Sequence, residues 1–68
     1  MKRSVLVRAT VVQISEKSIV ISAGRQSARL SARQLRFFDG EREVDEPEVG
    51  RTYDVEMSEH LAADEGFI

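Results

Sequence analysis

Apolar and polar residues alternate over residues 5–14, Val-Leu-Val-Arg-Ala-Thr-Val-Val-Gln-Ile, and β-branched side chains dominate the stretch. That period and composition predict a strand. Val5, Val7, Ala9 and Val11 share one parity. Past Val11 the apolar positions move to Val12 and Ile14. A change of parity inside one strand marks a bulge or bend. Ser15-Glu16-Lys17 reads as a polar turn. Residues 18–22, Ser-Ile-Val-Ile-Ser, form a second strand. Ala23-Gly24-Arg25-Gln26 is a turn whose glycine supplies a positive φ. Residues 27–30 make a short third strand and complete a meander.

Ser31-Ala32-Arg33-Gln34 has the spacing of a capping box and is followed by Leu35. It predicts a short helix over residues 32–37, ended near Asp39-Gly40. A rival reading starts the helix at Ser27, with Ala28, Ala32 and Leu35 on one face. Residues 39–50 are an acidic loop holding Pro47. Alternation resumes over 51–59. Tyr53, Val55 and Met57 fall on one side, and Asp54, Glu56 and Ser58 on the other, which is a half-buried strand with a wet acidic face. Residues 60–66 read as a polar loop and 66–68 as a closing strand.

The expected fold is all-β: a small five-stranded antiparallel barrel with one short helix between strands three and four. Closure removes the exposed edges that few strands would leave. At 68 residues the chain is one domain. A chain of this size buries only about 60–65% of its unfolded surface, so the core is small. Val5, Val7 and Val11 are expected in it from the first strand, with Ile19, Ile21, Leu30 and Leu35 from the middle of the chain. Tyr53, Val55 and Met57 complete it. There is no cysteine to add a disulfide or a thiolate metal site. Arg8 interrupts the apolar residues after Lys2 and Arg3, too soon for a secretory signal, so a cytoplasmic protein is expected.

That element order resembles the oligonucleotide/oligosaccharide-binding (OB) fold. Within it the chain is similar to the single-domain bacterial translation initiation factors and to ribosomal-protein-type RNA-binding repeats. The residues carrying the resemblance are Ala9-Thr10-Val11-Val12-Gln13-Ile14, Ser18-Ile19-Val20-Ile21-Ser22 and Ala28-Arg29-Leu30-Ser31. Glu48-Val49-Gly50-Arg51-Thr52-Tyr53-Asp54-Val55-Glu56-Met57 continues it into the fourth strand, and His60–Ile68 is similar to the family's loop, glycine and closing strand. The resemblance covers residues 5–68 and implies a single OB-like domain. It also implies that a ligand lies across strands two and three and the adjoining loops.

The charges are sorted along the chain. Residues 1–36 carry eight cations against one carboxylate, a balance of +7. Residues 37–68 carry two cations against eleven carboxylates, a balance of −9. Such asymmetry points to a charged partner. The structural alternative is that the halves fold together and pair their charges across strands.

Two functional readings follow. The first is a module that binds RNA or single-stranded nucleic acid, with Lys17, Arg25, Arg29 and Arg33 on phosphate. The second is an acidic regulator or inhibitor that docks on a basic surface of a larger protein or nucleoprotein complex through Glu43, Glu46 and Glu56. The lack of any aromatic residue in 18–30 for base stacking motivates the second. No catalytic residues, cofactor or metal are expected. His60 is the only histidine, no nucleophile elbow accompanies it, and the acidic run lacks the ordered spacing of a calcium loop. Phe37 and Phe38 are read as core anchors.

Overall fold

The computed structural model describes residues 3–68; Lys2, counted above with the basic half, lies outside them. The strands are β1 (Ser4–Ile14), β2 (Ser18–Ala23), β3 (Gln26–Ser31), β4 (Arg36–Asp39), β5 (Arg42–Val44) and β6 (Thr52–Ser58). They form one antiparallel sheet in the order β3-β2-β1-β6-β4-β5. The fold is all-β. It has six strands rather than five, and β3 and β5 end the sheet without pairing to each other, so the sheet is open instead of closed into a barrel.

The extra strands come from residues 36–44. The capping-box spacing predicts a helix reaching into this stretch. A single 3₁₀ turn, Ala32–Gln34, forms instead, and the Ser31 side chain makes no capping bond. The reason is local alternation. Arg36 and Phe38 face one side while Phe37, paired to Val55 of β6, is only 4% exposed on the other. A helix this short is costly to nucleate, whereas the strand joins an existing ladder and buries a ring. Asp39 then pairs with Arg42 across a two-residue turn. Gly40 opens that turn at φ 66°, a conformation that only glycine adopts without penalty. The start of the expected acidic loop is therefore β5. The rival helix from Ser27 is excluded, because residues 27–30 lie in β3.

β1 is the spine. Its first half pairs β6 from Ser4↔Ser58 to Thr10↔Thr52, and its second half pairs β2 from Thr10↔Ser22 to Ile14↔Ile19. Thr10 belongs to both ladders and shares a 2.7 Å hydroxyl hydrogen bond with Thr52. The register slips between Val11 and Gln13, which is the bulge that the parity change predicts. The sheet curls about this corner, and its concave face holds one apolar cluster. Val7, Val11, Ile21, Leu30, Val55 and Met57 are central to it. Val5 packs against the cluster from its margin; Phe37 is buried in it as expected, and Ala9, Ala28 and Ala62 are buried in it beyond the expected set. Phe37 and Tyr53 meet edge to face, centroids 5.8 Å apart.

The chain after β6 is helical, in place of the expected loop and closing strand. Helix α1 (Glu59–Asp64) follows at once, and Ser58 Oγ accepts the Leu61 N–H at 3.1 Å as its N-cap. Ala62 is fully buried, and Phe67 N–H donates to Ala62 O at 2.8 Å, so residues 66–68 turn back over the core and form no strand. Among the described residues no helix is long and apolar enough to cross a membrane.

Residues 45–51 are clamped to the bulge. Gly50 N–H donates to Val11 O at 2.7 Å, and Val11 N–H donates to Arg51 O at 2.9 Å. The Tyr53 hydroxyl accepts the Glu48 N–H at 3.0 Å. Tyr53→Phe leaves that half-buried donor without an acceptor. It is expected to lower stability by about 1 kcal/mol in urea unfolding. Amide exchange at Glu48 should quicken while Val55 stays protected; equal exchange at Glu48 in both proteins would show that the hydroxyl does not hold the loop.

Candidate functional site

The convex face of β1, β6, β4 and β5 carries a ladder of ion pairs between the two halves of the chain. Arg8 Nη1 lies 3.2 Å from Asp54 Oδ1. Arg36 grips Glu43 with two bonds of 2.9 and 3.2 Å and reaches Glu56 at 3.3 Å. The hydrogen bonds and charge of Arg36 hold the Glu43 carboxyl below the ordinary carboxylate range, and Glu43 in turn raises Arg36. Because the folded carboxyl is depressed, this pair stabilises above the unfolded value and stops doing so as pH falls through the folded one. Both arginines and Glu43 are exposed while Asp54 and Glu56 are half-buried, so each pair contributes little. Their effect here is selective: they take Arg8 and Arg36 out of the pool that can meet a ligand.

Among the described residues Arg3, Lys17, Arg25, Arg29, Arg33 and Arg42 make no ion pair. Three of these converge. Lys17 ends the β1–β2 turn, and its carbonyl accepts the Ala32 N–H at 3.2 Å, which ties the 3₁₀ turn to it. Ser18 pairs with Ser31 across β2 and β3. Arg29, on β3, donates from Nη1 to Ser18 Oγ at 3.3 Å. Glu16, Lys17, Ser31, Ala32 and Arg33 line one hollow. Three cations against Glu16 leave a local balance of +2. Two serine hydroxyls stand among them. Guanidinium and ammonium groups with hydroxyl donors suit phosphate oxygens.

Arg25 is not part of this group. It sits in the β2–β3 turn, beyond Ala23, while Lys17 adjoins Ser18 at the other end of β2. At 3.3–3.4 Å per residue the two ends of β2 are about 17 Å apart. The acidic residues of the second reading also separate. Glu43 and Glu56 are both engaged by Arg36, whereas Glu46 lines a hollow with Asp39, Glu48, Arg42 and Arg51. His60 is exposed on α1, with Nε2 3.2 Å from Asp64 Oδ2. Phe37 is buried. Phe38 is half-buried on the convex face, beside Asp54 and Glu43 in the ladder and 5.4 Å from the Arg36 guanidinium. Carboxylates therefore flank the one ring that faces outward from a strand.

A second hollow has no counterpart in the sequence reading. Arg3 and Arg33 line it together with Ser4, Gln34 and Ser58. Arg3 is placed there by the β1–β6 ladder and by its carbonyl, which accepts the Glu59 N–H at 2.9 Å. No local pattern announces that neighbour, because it depends on pairing between distant segments. Comparison of the chain with protein-family models, curated proteins and solved structures yields no match.

Proposed function

We propose that the protein is a non-catalytic cytoplasmic module that binds RNA or single-stranded nucleic acid through its phosphates. One observation carries this reading: Lys17, Arg29 and Arg33, free of carboxylate partners, meet at one corner of the sheet beside two serine hydroxyls. The acidic-regulator alternative has less support, since Arg36 is bonded to two of its three residues.

Backbone contact has a characteristic signature in salt. Three cations on a single strand give a slope of log K against log salt of about −0.7 × 3, close to −2. Anisotropy titration of a labelled oligonucleotide across salt concentrations is expected to show a slope at least that steep. Glu16→Gln should tighten binding, because it removes the one carboxylate that lines the hollow. No binding at low salt, where electrostatic contacts are strongest, removes this reading.

A further inference from the structure

Arg33 borders both hollows. On one side it faces Lys17, with Arg29 just beyond on β3. On the other it faces Arg3. Resting on the reading above, we propose that these four residues form one continuous track for a nucleic-acid strand. Its path crosses the end of the sheet over the 3₁₀ turn, and does not run along the β2–β3 hairpin to Arg25.

Three observations give the track its course. The 3₁₀ turn is anchored to the Lys17 carbonyl and leads straight into β4, so Arg33 is fixed between the β1–β2 turn and the start of β1. Glu56 also borders the second hollow, but Arg36 and the Ser4 hydroxyl hold its two oxygens at 3.3 and 3.4 Å, which blunts its repulsion of phosphate. Hydroxyls of Ser4, Ser31 and Ser58 continue along both hollows. Neither hollow is lined by an aromatic ring. The strand is therefore held by its backbone with its bases unread, unlike sites in which stacking on rings supplies affinity.

The test is anisotropy with labelled oligothymidylate and oligodeoxycytidylate of about ten nucleotides. The unmodified protein is expected to bind both within about threefold of each other, because stacking is absent. Each phosphate contact contributes about 0.7 to the slope, equivalent to about fivefold in affinity at 0.1 M salt. Arg3→Ala is therefore expected to weaken binding about fivefold and to flatten the slope by about 0.7. Arg33→Ala should do at least as much, and Arg25→Ala should change neither quantity. If Arg3→Ala is silent while Arg33→Ala and Lys17→Ala weaken binding, the track is overturned and the phosphate-binding function stands. Equal losses at Arg25 and Arg3 overturn it too, since a diffuse field would then be acting in place of a path. Failure of the unmodified protein to bind either oligonucleotide overturns both.

Discussion

Reversing Lys17 and Arg33 together to glutamate is expected to abolish nucleic-acid binding and leave the fold intact. Each reversal removes one cation from the phosphates, about fivefold at 0.1 M salt, and adds a carboxylate that repels the backbone. The double reversal should therefore weaken binding more than 100-fold, on the order of 3 kcal/mol or more. Stability should barely move. Both side chains are exposed and neither makes an ion pair, and surface substitutions of this kind stay within about 0.5 kcal/mol. Glu46→Lys, in the hollow with Asp39 and Glu48, is the matched control and should not weaken binding. Anisotropy and circular dichroism on the same samples decide the matter. Binding within about threefold of the unmodified protein would show that these cations do not touch the strand.

Ile21→Ala should come close to unfolding the domain. Ile21 is fully buried on β2, paired to Val11 on one side and Ala28 on the other. Removing three carbons from such a site costs about 2–5 kcal/mol, because so small a core cannot fill the gap. A domain of this length holds only about 3–10 kcal/mol in all. A fall in melting temperature of about 10 °C or more is expected. Val12→Ala is the contrast. Val12 is the extra residue of the bulge and is 49% exposed, so its loss should be nearly silent. Equal effects at the two positions would contradict the core described above.

The elements that are legible in the sequence share one property: their side-chain period is met within a single strand. β1, its bulge, β2 and β6 all show it, and the turn at Gly24 is marked by its own residue type. The misreadings fall where a local signal competes with pairing to a distant segment. Ser31-x-x-Gln34 resembles a helix start, but β6 offers Phe37 a ladder and a buried neighbour in Val55. Ser58 reads as the end of a strand and is also the cap of α1, whose Leu61 and Ala62 close on the core. The candidate site divides in the same way. Lys17, Arg29 and Arg33 are legible because β2 and β3 are neighbours in sequence. Arg25 lies apart from them, in the turn at the other end of β2. Arg3 escapes a reading of the sequence because its place depends on a strand 50 residues away, β6 at Ser58 lying opposite Ser4 at the start of β1.

The corner at Thr10 has a consequence for how the protein folds. β2 and β3 follow β1 closely in the chain and can pair with its second half before β6 is in place. The first half of β1 must wait for β6, whose partner residues lie 42 to 54 positions further along the chain. Through that interval Val5, Val7 and Ala9 have no strand beside them, and the apolar face of the meander has no cover. Closing so large a loop late makes the final step the slow one. Slowing that late closure should therefore lower the yield of soluble protein on refolding, although the chain itself is identical.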